Sequence, residues 1–285
     1  MDVPGSGTHH DDSPRPVAAR RLFPAGVLLT AAVGALLVAL SADRSNRPAL
    51  VDPPRGTLIF KGDFETGNAK QWTFVQEARP DRFSVVRSPV RQGRFAGRFV
   101  SVAGECIPMD CRGSNPRGRT EALAQIKPLT SVREGRSLWY RWYTLFPSGG
   151  PVPEYTFTQW RAADERSGPR AISGLYGLLT VGPSRSFREG AIYFKRNGTR
   201  WSGPLPRGRW ITFLMHIIYS SNPRAGKYEL WVDHRKVASF HDQSKPSNTG
   251  VYFKQGVYRN NHTPTGVAYF DGLRIATSRA VAVRG

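Results

Sequence analysis

From Thr57 onward the chain sets short apolar runs between clusters of Gly, Pro, Asn and Asp, and hardly a segment has helical period. Strands are predicted at Thr57–Phe60, Arg94–Val102, Thr120–Ile126, Leu138–Leu145, Tyr155–Trp160 and Ala191–Lys195. Trp210–Tyr219, Lys227–Val232, Lys236–Phe240, Val251–Tyr258 and Val267–Ile275 follow the same rule. Asn197-Gly198, between Ile192-Tyr193-Phe194-Lys195 and Thr199-Arg200-Trp201, is a hairpin signal because both residues tolerate positive φ. This pattern predicts one all-β domain: a jelly roll, a concanavalin-like sandwich of two sheets, one of which bends into a concave groove for an extended ligand.

One stretch breaks the pattern. After Arg20-Arg21 an unbroken apolar run extends from Pro24 to Leu40. Its seventeen residues sit at the lower edge of a bilayer span and above a usual signal-peptide core, so a cleaved export signal and a retained anchor both fit. Ala39-Leu40-Ser41 has the small residues a signal peptidase reads, and Ala19-Arg20-Arg21-Leu22-Phe23 resembles a twin-arginine signal. Either way the arginines keep the N-terminus cytoplasmic and send the remainder outside. The expected organisation is a disordered, cytoplasmic stretch over 1–23, an export signal or membrane anchor over 24–41, a linker over 42–56, the β domain over 57–278 and a tail over 279–285. The protein is thus expected to be secreted or anchored outside the cytoplasm, a monomer that touches membrane only through residues 24–40 if these are uncleaved.

Charge narrows the partner. The net charge is +20, carried mostly by arginine, whose guanidinium fork grips carboxylate, sulfate or phosphate bidentately. A polyanion is the expected partner. Nucleic acid is not, since no recognition-helix or stacking-repeat pattern is present and an exported protein seldom meets it. Cys106 and Cys111, the only cysteines, are expected to form a disulfide that stiffens their loop. No histidine lies near them in sequence, so a zinc site is not expected.

Three segments place chemically capable residues on one face of otherwise apolar strands. Arg119 and Glu121 share a face in Arg119-Thr120-Glu121, and Gln159 and Arg161 in Gln159-Trp160-Arg161. Tyr252, Lys254, Gly256 and Tyr258 share one in the run from Tyr252 to Arg259, where Gly256 is read as leaving room for a ligand. In Leu138-Trp139-Tyr140-Arg141-Trp142-Tyr143, Arg141 lies between Trp139 and Tyr143, which suits either a sugar-acid surface or ordinary packing. Converging in one groove, such residues meet the needs of β-elimination on a uronic acid. Gln or Arg donors neutralise the carboxylate so that the C5 proton becomes labile. A base takes that proton and an acid protonates the departing O4, and tyrosine can serve as either where cations favour its phenolate. No metal or cofactor is required.

Tyr252-Phe253-Lys254-Gln255-Gly256-Val257-Tyr258 resembles the Tyr-Phe-Lys-x-Gly-x-Tyr signature of the jelly-roll polysaccharide lyases, the alginate, heparin lyase-like and glucuronan lyase-like groups. Arg119-Thr120-Glu121 resembles their Arg-Ser/Thr-Glu strand, and Gln159-Trp160-Arg161 lies where they carry Gln-x-His. Trp210 to His216 and Trp231-Val232-Asp233 resemble further blocks of the heparin lyase-like group. The resemblance implies an extracytoplasmic lyase of acidic polysaccharide. It makes Tyr258 the catalytic acid, Gln159 and Arg119 the carboxylate neutralisers and Lys254 a substrate-binding cation, with Glu121 orienting Arg119. Trp160, Arg161, Tyr252, Arg259 and Arg141 complete the expected binding surface.

The departure is Arg161, a guanidinium where those families have a base histidine, and it cannot take a proton. Three readings follow: Tyr258 moves both protons, His216 is the base, or the protein binds polysaccharide without cleaving it. A glycoside hydrolase would need paired carboxylates. Glu229 and Asp233 are the nearest pair, but Asp233 is expected in a turn.

Overall fold

A computed structural model describes residues 56–112, 114–163 and 174–284. The export or anchor segment therefore lies outside the described residues. No helix among those described is long and apolar enough to cross a membrane.

The described residues form two antiparallel sheets of eight and seven strands. The first sheet contains β1 (Leu58–Gly62), β3 (Phe83–Val86), β4 (Ala96–Ser101), β6 (Ser137–Leu145), β11 (Trp210–Ile218), β12 (Lys227–Val232), β13 (Arg235–His241) and β15 (Gly266–Ala276). The second runs in the order β10 (Thr199–Pro204), β9 (Ala191–Lys195), β8 (Leu175–Gly182), β7 (Tyr155–Ala162), β14 (Val251–Asn260), β5 (Arg117–Ala124) and β2 (Phe74–Glu77). This is the jelly-roll sandwich expected from the alternation. Asn197 and Gly198 turn with φ of 48° and 98°, and Asp233 and His234 with 46° and 68°, so both hairpins use left-handed backbone that matches strand twist.

The core between the sheets is aromatic. Trp142 stacks on Phe213 at 5.2 Å, Trp160 meets Tyr140 edge-on at 5.6 Å, and Phe253 contacts Tyr140, Trp142 and Trp160. These rings are completely buried, and each contributes a few kcal/mol through apolar area and ring geometry. Trp160 points into this core because its strand neighbours Gln159 and Arg161 point out. It therefore offers nothing to a substrate, against its expected place in the binding surface.

Two arginines expected at the ligand are also buried as scaffold. Arg259 donates from Nε to the Pro264 carbonyl and from its two terminal nitrogens to Val102 and Asn261, fastening the loop after β14. Arg141 lies on the outer face of the eight-stranded sheet, on the far side of the sandwich from the groove. It donates to the carbonyls of Ala282 and Arg284 and to Gln92 Oε1, while its guanidinium covers the Tyr143 ring at 4.8 Å. After a first short helix, α1 (Lys127–Thr130), the expected tail carries a second, α2 (Arg279–Val283), with Ala282 buried and Ser278 capping its N-terminus. Replacing Arg141 with methionine is expected to lower the unfolding free energy by about 2 kcal/mol, because the helix carbonyls lose charged donors. A urea titration reads this directly.

Candidate active site

Strand β14 sits between β5 and β7, and that adjacency joins the three sequence blocks. Across β14, Tyr252 is opposite Arg161, Lys254 opposite Gln159, Gly256 opposite Glu121 and Tyr258 opposite Arg119. All these side chains but glycine's lie on the outer face of the seven-stranded sheet. Gly256 serves the fold here: a Cβ on it would lie 2.1 Å from the Thr120 carbonyl oxygen and 2.6 Å from Glu121 Cα. Its missing side chain lets β5 approach β14, which is a different use from the ligand clearance expected of it.

Glu121 is the hub. Lys254 Nζ lies 2.6 Å from its Oε2, Gln159 Nε2 donates to its Oε1 at 2.5 Å, and Arg119 Nε is 3.7 Å away. Glu121, Lys254 and Gln159 are all buried, with 2–3% exposure. Lys254 is pushed down to about 8, as desolvation outweighs the attraction of Glu121. It therefore forms the charged floor of the site, below the surface where a substrate-binding cation was expected. Above that floor the partly exposed side chains are Arg119, Arg161 and Tyr258. Burial pushes the Tyr252 hydroxyl up, against the opposing pull of Arg161, which also hydrogen-bonds it. Arg161 Nη1 also donates to Gln159 Oε1 at 3.4 Å.

Arg119 is fixed from the other side. Asp110 accepts from its Nη2 at 2.9 Å and forms an ion pair with its Nε at 2.6 Å, Gln76 accepts from Nη1 at 3.0 Å, and the guanidinium stands 4.8 Å from the centre of the Tyr258 ring. Asp110 belongs to the loop closed by the Cys106–Cys111 disulfide, whose Cα atoms are 5.4 Å apart. Sequence reading assigned orientation of Arg119 to Glu121 and passed over Asp110 and Gln76. The one signal was that Asp110 lies inside the short cysteine loop just before Arg119. Asp110→Ala is expected to raise KM about tenfold or more with a smaller change in kcat, since a charged hydrogen-bonded partner is worth about 1.5–3 kcal/mol. Steady-state kinetics separates the two.

Beside Tyr258 an open cavity of about 420 Å3 runs over β7, β8 and β9, lined by Arg117, Thr156, Thr180, Tyr193 and Lys195 among others. Lys195 also lines the next cavity, of about 390 Å3, with Tyr176, Leu178 and Arg196. Together they make a cationic and aromatic track leading away from Tyr258.

His216 is not part of this arrangement. It lies on the outer face of the other sheet, with Nδ1 2.7 Å from Glu229 Oε2, Nε2 2.7 Å from Ser137 Oγ and its ring stacked on Trp139. His216 therefore cannot serve as the base beside Tyr258. Glu229 shares that face, where Lys236, His216 and Lys227 hold its carboxyl at about 2 in spite of burial, and Asp233 forms the turn. That pair does not flank a cleft. Among the described residues no cluster of three or more His, Cys, Asp or Glu side chains could hold a metal ion.

The family model for polysaccharide lyase matches residues 64–274. The chain belongs to the polysaccharide lyase family. No curated protein matches it in sequence. Among solved structures this polysaccharide lyase is similar to the endo-β-1,4-glucuronan lyase of the fungus Trichoderma reesei, with 18% identity, a TM-score of 0.61 and coverage of 79% of this chain and 98% of that one. It is also similar to the catalytic domain of a glycoside hydrolase family 131 protein from Coprinopsis cinerea, with 14% identity, a TM-score of 0.54 and coverage of 77% and 94%. The alginate lyase Aly36B follows, at 12% identity and a TM-score of 0.49, with coverage of 76% and 92%. The first two likenesses bear on the fold alone.

Proposed function

We propose that this polysaccharide lyase cleaves a uronic-acid-containing polysaccharide by β-elimination outside the cytoplasm. The observation that carries the reading is the alignment of Arg119, Arg161 and Tyr258 on one face above the buried Glu121–Lys254–Gln159 floor. Arg119 and Arg161 offer guanidinium groups to the substrate carboxylate and, with Gln159 behind them, stabilise the charge that builds on it as C5 loses its proton. Tyr258, as phenolate, takes the C5 proton; the C4–O4 bond breaks as the C4–C5 double bond forms; and the resulting phenol returns the proton to O4. One residue thus carries the proton across one face of the sugar, and no histidine is needed. The disulfide and the apolar run from Pro24 to Leu40 support an oxidising, exported setting.

A second reading is a non-catalytic carbohydrate-binding protein on the same scaffold. It is favoured by Arg161, a permanent cation where related lyases have a base. Purified residues 42–285 incubated with a panel of polyuronates separate the two. A rise in ultraviolet absorbance from the unsaturated uronate, with one polymer or more, establishes elimination and names the substrate class. Binding to a polymer without any such rise establishes the second reading.

A further inference from the structure

The Trp139, Arg141 and Tyr143 triplet, which the sequence suggests for a sugar-acid surface, takes no part in the site around Tyr258. It lies on the outer face of the eight-stranded sheet, where a separate cavity of about 280 Å3 opens. Tyr143, Leu214 and Trp231 form apolar walls, Arg141 lies behind them, and His234 and Arg279 stand among the remaining lining residues. No carboxylate lines it. Its rings are held in place by neighbours: Arg141 covers Tyr143, Lys236 Nζ stands 4.8 Å over the Trp231 ring, and Trp139 meets Trp231 at 5.5 Å. Trp139 is itself stacked at 4.1 Å on His216. Arg279 is exposed and is the first residue of α2, so its side chain is available to an incoming anion without disturbing a strand.

Aromatic walls, cations and no carboxylate are the chemistry of a sugar acid: the ring face packs on the aromatic and the carboxylate meets the guanidinium. We propose that this cavity is a second polysaccharide-binding site, taking a uronate residue with its ring against Trp231 and its carboxylate at Arg279. The proposal rests on the reading that the substrate is an acidic polysaccharide. Lying on the opposite face from Tyr258, the site does not extend the cleavage track. It tethers the enzyme to bulk polymer, and two sites on one molecule raise retention on a polyvalent ligand far beyond either alone.

The test compares the wild-type enzyme with Arg279→Glu, Trp231→Ala and Arg119→Ala, using affinity electrophoresis through the cleaved polyuronate and turnover of its short soluble oligomers. Arg279→Glu changes an exposed residue and keeps the result interpretable if Trp231→Ala folds poorly. The expected result is that Arg279→Glu and Trp231→Ala weaken retention on polymer about tenfold while turnover of oligomers is unchanged. Arg119→Ala loses oligomer turnover yet retains part of its hold on polymer. Retention by Arg279→Glu equal to wild type, or complete loss of retention in Arg119→Ala, overturns the second site and leaves the groove reading standing. A wild-type enzyme that neither binds nor cleaves any acidic polysaccharide removes both.

Discussion

Tyr258→Phe is expected to reduce kcat by about 10²–10⁴-fold while KM changes little, the signature of a lost proton-transfer group. The substitution keeps the ring over which Arg119 stands at 4.8 Å, and with it the packing beside the 420 Å3 cavity. Only the hydroxyl leaves. A merely structural tyrosine would therefore lose almost nothing, and the thermal midpoint of the variant should match that of the parent. His216→Ala provides the contrast, because its ring is engaged by Ser137, Glu229 and Trp139 on the far sheet, so it should alter stability and leave kcat near its parent value. Cleavage by Tyr258→Phe within tenfold of wild type would remove the tyrosine from the proton path and return attention to the floor beneath it.

The alternation of side chains made the central strands legible, and with them the face on which each catalytic candidate sits. Strands β2 and β3 escaped because they are short edge strands, which carry little apolar signal. β8 escaped for another reason: Gly177, with φ of 155°, interrupts its apolar run. Alternation divides a strand into two faces and says nothing about which sheet it joins. Hence Arg119, Gln159 and Lys254 could be matched through the resemblance, whereas Arg141 and His216 were placed in a groove that their own sheet does not form. The burial of Arg259 was equally unreadable, since a guanidinium satisfied by three carbonyls is a property of loop closure. Asp110 reaches Arg119 through the tertiary path of the disulfide loop, which no strand periodicity describes.

Replacing Glu121 should disturb the protein most, and in a manner that depends on pH. Removing one member of a buried ion pair leaves an uncompensated charge and costs roughly 3–5 kcal/mol; here Lys254, 2% exposed, would keep its burial and lose the carboxylate 2.6 Å away. In the wild-type enzyme Lys254 is held at about 8, with desolvation the largest cause and Glu121 opposing it. The unfolded chain keeps that proton up to the ordinary lysine range near ~10.4. Between these values the unfolded state binds more protons than the native one, so this lysine makes stability rise with pH from about 8 toward 10, and its burial penalty acts in full below about 8. In Glu121→Gln the group that raises the lysine value is gone while burial, Arg119 and Arg161 still depress it. Lys254 then releases its proton at lower pH, and the rise in stability begins nearer neutrality. Urea unfolding midpoints from pH 6 to pH 10 should therefore diverge most at the acidic end, where the unpaired lysine is still forced to carry its charge, and draw together as pH rises. A constant difference across that range would show that Glu121 acts through packing alone, and that Lys254 is not the charge it holds.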